Sequence, residues 1–149
     1  NEVWQMNTAE STPLFGAHLS WQEALDLPGA RQMGILRSIF ESLPWQQMHA
    51  TRQIFAGINW PFSPPKLALS TSDQSCLLIY QSTGSKIKLK IKKGILNNSA
   101  VYWINPQNGR VTPTKAKGSN TFYTPNRLQD WLLLILSNKQ RDQWHYTSS

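Results

Sequence analysis

From Lys86 to Lys92 the chain alternates without a break, with Ile87, Leu89 and Ile91 on one side and Lys86, Lys88, Lys90 and Lys92 on the other. A period of two sends successive side chains to opposite faces, so this segment fits a half-buried strand and little else. One strand cannot bury its apolar side alone, and the surrounding sequence supplies partners. Lys66 to Thr71 and Ser75 to Gln81 read as strands around the turn Ser72-Asp73-Gln74. The run Cys76 to Tyr80 is almost wholly apolar, as expected of a strand covered on both faces. Ser82-Thr83-Gly84 turns the chain into the lysine segment. Ala100 to Ile104 is a further strand, stopped by Asn105-Pro106, and Asn108-Gly109 is a strong turn pair. Gly109 to Thr112, Thr121 to Tyr123 and Trp131 to Leu136 bring the series to about seven strands. Such a series predicts a mainly β chain built as an antiparallel β-sandwich.

The strands are preceded by a different texture. Ser20-Trp21-Gln22-Glu23 is a capping box that opens a short helix to about Leu27. Pro28 suits the first position of a second helix, since its missing N–H would be unpaired there anyway. Pro44 ends that helix by pushing its predecessor out of the α region. Within it Met33, Leu36, Phe40 and Leu43 recur at helical spacing, and Ile35 and Ile39 widen the apolar stripe. A stripe this broad needs a cover, which the sequence reading assigns to the chain's own sheets or to a second copy in a homodimer. Residues 1–19 are polar and irregular, and Trp45 to Pro65 shows little periodicity. The proline-rich Asn59-Trp60-Pro61-Phe62-Ser63-Pro64-Pro65 marks a boundary. The chain thus divides into 1–60 (loop and helix), 61–138 (β-sandwich) and 139–149 (a loosely held tail).

Several motifs carry a family resemblance. Leu27-Pro28-Gly29-Ala30-Arg31-Gln32-Met33-Gly34, followed by Phe40-Glu41-Ser42-Leu43-Pro44-Trp45, resembles the last barrel helix of the apiosidase-like glycoside hydrolases. Val3-Trp4-Gln5-Met6 is similar to that family's segment after the eighth barrel strand. Trp103-Ile104-Asn105-Pro106-Gln107-Asn108-Gly109 and Tyr123-Thr124-Pro125…Asp130-Trp131 resemble two patterns of the β-rich domain that follows the barrel and carries a collagen-binding label. Asn105 stands in place of the usual Asp, and Asn126 in place of a second Pro. The resemblance implies that 1–60 is the C-terminal remnant of a (β/α)8 barrel and 61–138 an accessory domain. It also implies a bacterial, extracytoplasmic setting, and a partner in the missing barrel. The absence of an initiator Met or a basic-apolar leader fits a chain that begins within a longer protein.

The titratable residues point away from catalysis. Glycosidases work with two carboxyl groups facing each other across the scissile bond. Of the eight acids, Glu23, Asp26 and Glu41 fall on helices, Asp73 in a turn and Asp130 before a strand; Glu2, Glu10 and Asp142 complete the set. In the family that the chain resembles, the catalytic pair lies on earlier barrel strands. His18, His49 and His145 lack metal-ligand spacing, and Cys76 is the only cysteine, so no metal site or disulfide framework is expected. No glycine-rich phosphate loop is present, and no cofactor is expected. No apolar run reaches the roughly 18 residues that span a bilayer.

Two features could bind a ligand. Trp4 follows the position of the last barrel strand, where an aromatic could stack on a sugar in the intact enzyme. The second feature is charge: the chain carries a formal +7, and no acid occurs between Asp73 and Asp130. The lysine row Lys86, Lys88, Lys90 and Lys92 is a candidate for an anionic polysaccharide, a nucleic-acid backbone or a membrane surface. Nucleic acid is disfavoured because no aromatic residues interleave with the lysines, and a row of lysines also serves to protect a strand edge. The expected function is a non-catalytic accessory domain of a glycoside hydrolase that packs on its barrel and assists glycan binding. The alternative is a stand-alone module for carbohydrate, a collagen-like matrix protein or a polyanion. No residue pattern points to collagen itself.

Overall fold

The computed structural model describes residues 18–57, 66–84, 86–91, 94–118 and 120–146. Helix α1 (Trp21–Ala24) is opened by the expected capping box, in which Ser20 and Glu23 satisfy each other's backbone N–H groups. A turn separates it from helix α2 (Pro28–Glu41), which starts on Pro28 with no side-chain cap. One 3₁₀ turn at Trp45–Gln47 leads into strand β1 (Met48–Ala50). Strands β2 (Lys66–Thr71), β3 (Cys76–Gln81), β4 (Lys86–Lys88), β5 (Ser99–Ile104), β6 (Val111–Pro113), β7 (Thr121–Tyr123) and β8 (Trp131–Ser137) follow, and helix α3 (Asn138–Gln143) closes the described chain.

The strands form two antiparallel sheets of unequal size, one ordered β1-β2-β3-β8-β5-β6 and the other β4-β7. Each face of the larger sheet has its own apolar layer. On one face Leu77, Ile79, Trp103, Leu133 and Ile135 meet Ile87, Leu89 and Phe122 from the smaller sheet and its continuation. On the other, Cys76, Leu78, Ile104, Leu132, Leu134 and Leu136 meet Ile39 of α2 and Leu43 just beyond its end. The order is therefore small sheet, large sheet, helix. This layering explains the unbroken apolar runs of β3 and β8: they lie at the centre of the large sheet and are covered on both sides.

The expected mainly β architecture is present, with three differences from the sequence reading: the strand expected over Lys86–Lys92 spans only Lys86–Lys88, followed by a single bridge at Leu89, and two others concern the ends of the large sheet and of the chain. β1 is an additional strand, and it pairs with β2 through Met48↔Thr71, His49↔Ser70 and Ala50↔Leu69. Three residues with no alternation become a strand because β2 offers them a ladder. The segment after Ser137, expected as a loosely held tail, is instead built into the fold. Ser137 accepts a hydrogen bond from the Gln140 N–H and so caps α3. Trp144 then stacks with Tyr146 and tilts against Tyr102, and its indole N–H donates to the Ser42 hydroxyl at 2.9 Å.

The two motifs of the β-rich region are structural. In Trp103 to Gly109 the Asn105 side-chain oxygen accepts from the Gln107 N–H at 2.9 Å, a task that an Asp would perform equally well. Gly109 has φ +71°, a conformation that favours glycine, and a Cβ there would have to push aside the Tyr146 hydroxyl, 2.5 Å away. In the other motif Asn126 accepts the Leu128 N–H through its side chain and the Trp131 indole N–H through its carbonyl. The Thr124 hydroxyl donates to the Gly84 carbonyl and ties this loop to the approach of β4.

Candidate functional site

The lysine row lies on the outer face of the small sheet. Ile87 and Leu89 point into the core while Lys86, Lys88 and Lys90 are exposed; Lys92 lies outside the described residues, as does Trp4. The pairing of β4 with β7 places Lys86 opposite Tyr123 and Lys88 opposite Thr121. A further bridge places Lys117 opposite Thr121 from the other side. Side chains of directly paired residues share a sheet face, so Lys88, Thr121 and Lys117 form one row and Lys86 and Tyr123 the next. The Lys117 ammonium stands over the Tyr123 ring, 5.6 Å from its centroid, and that ring is 49% exposed.

Sequence reasoning did not join Tyr123, Thr121 and Lys117 to the lysine row, since nothing local ties them to residues thirty positions away. The usable signal was the alternation in Thr121-Phe122-Tyr123, which turns Tyr123 outward once Phe122 is placed in the core. The ion pairs among the described residues are Arg31–Asp26, Arg37–Glu41 and Arg141–Asp142, none of them on this face. Its cations therefore meet solvent without an acidic neighbour in sequence from Asp73 to Asp130.

The second feature is an apolar groove of about 870 Å³ between α2 and the β1–β2 side of the large sheet. Leu36 and Phe40 form the helix wall; Leu67, Leu69, Tyr80 and Leu132 form the floor. It exists because α2 turns Ile39 and Leu43 inward over the sheet centre and leaves the sheet margin uncovered. Leu67 is 59% exposed there and Met33, expected within the buried stripe, is 46% exposed. At the groove the Tyr80 hydroxyl donates to the Asp130 carboxylate at 2.8 Å. Burial, together with that bond and the adjacent negative charge, pushes the Tyr80 phenol up to about 12.

The described acids all have structural partners. Glu23 is in the capping box, and its hydrogen bonds from Ser20 hold its carboxyl below the usual range. Asp26 and Glu41 face arginines. Asp73 accepts from the Thr71 hydroxyl and the Ser75 N–H, which lower its pKa. Asp130 takes the Tyr80 phenol and Asp142 pairs with Arg141. Glu2 and Glu10 lie outside the described residues. Among the described residues no three His, Cys, Asp or Glu side chains gather as a metal site, and no helix is long and apolar enough to cross a membrane.

Comparison with known proteins assigns the two halves. Residues 62–136 match the family described as "Putative collagen-binding domain of a collagenase". The chain belongs to that family. Residues 1–47 match a second description, "Apiosidase-like, catalytic domain". The collagen-binding-type domain thus comprises β2 to β8, whereas α1 and α2 fall in the catalytic-domain match. Among curated proteins no match is found. Solved structures with the same fold include one titled "Glycoside hydrolase", at 17% identity and TM-score 0.71, covering 90% of this chain and 31% of that one. Another is a glycoside hydrolase family 5 protein from Bacteroides vulgatus, at 17% identity and TM-score 0.76, covering 96% of this chain and 32% of that one. The chain therefore spans about a third of the length of the glycoside hydrolases it resembles.

Proposed function

We propose that this chain is the non-catalytic C-terminal part of a carbohydrate-active enzyme, in which α2 anchors the collagen-binding-type domain to the catalytic barrel. One observation carries this reading. Helix α2 lies within the catalytic-domain match, yet Ile39 and Leu43 are buried in the same apolar layer as Leu78, Ile104 and Leu134 of the following domain. A helix with one side in this core and the other toward Met33, Leu36 and the groove couples two bodies without a flexible joint. The three-part division expected from the sequence (1–60, 61–138, 139–149) is proposed with its first boundary moved back to about residue 47, because β1 pairs with β2 and Ile54 and Phe55 pack in the sheet core. The groove then takes apolar side chains of the remaining barrel, which the chain's share of its structural relatives supports. The sequence position of Trp4, just after the last barrel strand, supports a role for it in stacking on a sugar in that setting.

Two measurements test the proposal. The purified chain should not turn over aryl glycosides; activity that co-purifies with it and disappears in Glu23→Gln would overturn the reading. In the full-length enzyme, Leu36→Asp with Leu67→Asp should shorten the thermal half-life of activity while this chain alone, carrying the same changes, melts as before. An unchanged half-life in the full-length variant would show that the groove does not receive the barrel.

A further inference from the structure

We infer that the outer face of the β4–β7 sheet is a binding platform for an anionic polysaccharide, with Tyr123 as the stacking surface and Lys86, Lys88, Lys90 and Lys117 as the partners of its acidic groups. This goes beyond the anchoring role and rests on a different face of the molecule.

The bland account of a lysine row is protection of a free strand edge, and the geometry weakens it. β4 is bonded on both sides. β7 lies along one side. Along the other, the Ala56 N–H donates to the Lys88 carbonyl at 2.9 Å and the Lys90 N–H to the Ile54 carbonyl at 2.6 Å, with Phe55 opposite Leu89. β7 is flanked in turn by Lys117, whose N–H donates to the Thr121 carbonyl at 2.7 Å. Among the described residues the strand is thus bonded on both sides from Lys88 to Lys90, so Lys88 and Lys90 guard no open edge. Solubility alone would be served by charges of both signs, whereas this span of the sequence contains only cations.

What remains is a cationic surface with a flat aromatic residue set among the charges. Paired positions across strands lie about 5 Å apart and alternate positions along a strand about 7 Å. Lys86 thus lies across from Tyr123, Lys88 and Lys117 lie one alternate position along, and Lys90 lies two along, so the row runs from Tyr123 over about 14 Å, the length of a few sugar residues. The C–H face of a pyranose ring packs on an exposed tyrosine, and the Lys117 ammonium, which stands over the Tyr123 ring in the free protein, swings aside to join Lys86 on the carboxylate or sulfate groups of that sugar. A single aromatic favours this ligand over single-stranded nucleic acid, which is held on successive stacked bases.

Titration of the 149-residue chain with alginate, dextran sulfate, neutral dextran and an oligothymidylate decides the matter. Binding to alginate, to dextran sulfate or to both is expected, weakening steeply between about 50 and 200 mM salt, with no binding to dextran. Which of the two binds distinguishes carboxylate from sulfate as the group recognised. Tyr123→Ala should weaken the polysaccharide about fivefold or more. Lys86→Gln with Lys88→Gln should weaken it further and reduce the salt slope by about two. Both variants alter exposed side chains, and an unchanged melting curve verifies their fold. Failure to bind either anionic polysaccharide, equal binding of dextran, indifference to Tyr123→Ala, or tighter binding of the oligothymidylate would each overturn the proposal.

Discussion

Cys76 shows how position sets chemistry at the scale of one residue. Its side chain is fully buried, and burial, aided by the negative charge of Asp73, pushes the thiol up to about 12. The chain should therefore resist iodoacetamide at pH 8 while folded and become labelled only as it unfolds; rapid labelling of the native protein would contradict the burial. Because the folded-state value is raised, the protonated thiol is the form that the fold favours. Its contribution is complete below the ordinary value near 9 and is lost as pH rises toward about 12. Asp73 has the opposite sign. Its carboxylate is stabilised by Thr71 and Ser75, so its contribution is present above the ordinary carboxylate range and disappears as acid protonates it. Acid titration should show Asp73→Asn losing less stability than the parent below about pH 4, because the variant has no carboxylate there to protonate. The buried thiol was legible in the sequence, since it sits inside an apolar run. The bond between Tyr80 and Asp130 was not, because fifty positions separate two residues that only strand pairing brings together.

At the scale of the element, α2 separates what periodicity can and cannot fix. The start on Pro28, the four-turn length and the stop ahead of Pro44 follow from local sequence. The rotation of the helix about its axis does not, because its apolar stripe is broader than the strip that the sheet can cover. Met33, Leu36, Phe40 and Leu43 satisfy helical spacing, but the row turned inward is Ile35, Ile39 and Leu43. The consequence is a contrast of substitutions. Ile39→Ala, at 1% exposure, should cost about 2–5 kcal/mol in urea denaturation. Met33→Ala, on the same helix, should stay within about 0.5 kcal/mol of the parent, apart from any barrel contact. Equal effects would mean that the helix sits in another rotation. β1 escaped the sequence reading for a related reason, since a three-residue strand without alternation is defined only by its partner. The inward and outward faces of the lysine strand were legible from its strict alternation, but its length was not, because the ladder to β7 covers only Lys86–Lys88. The aromatic set among those lysines belongs to another strand and needed the fold to find it.

For the whole molecule, the closing segment matters more than its length suggests. Trp144 joins Tyr102 on the sheet to Ser42 behind α2, and Tyr146 donates to the Gly109 carbonyl at 3.1 Å. Trp144→Ala should cost about 3 kcal/mol, and deletion of residues 138–149 at least as much; a truncated chain of parental stability would show the clasp to be ornamental. The sheet order carries a different consequence, one of timing. β8, the last strand in sequence among the described residues, lies between β3 and β5 and separates two halves that share no other ladder among those residues. As the chain leaves the ribosome, β1 to β3 and β5 to β6 can each form their local pairs, but neither half can join the other until Trp131–Ser137 has emerged. At about 5–20 residues per second, the 56 residues from the end of β3 to the end of β8 (82–137) take several seconds to synthesise. During that interval the β3 flank that will receive β8 stands open, beside Leu77, Leu78 and Ile79. A nascent chain of this kind is a customer for chaperones that shield unpaired strands, and a stall in translation before Trp131 would leave it prone to aggregation.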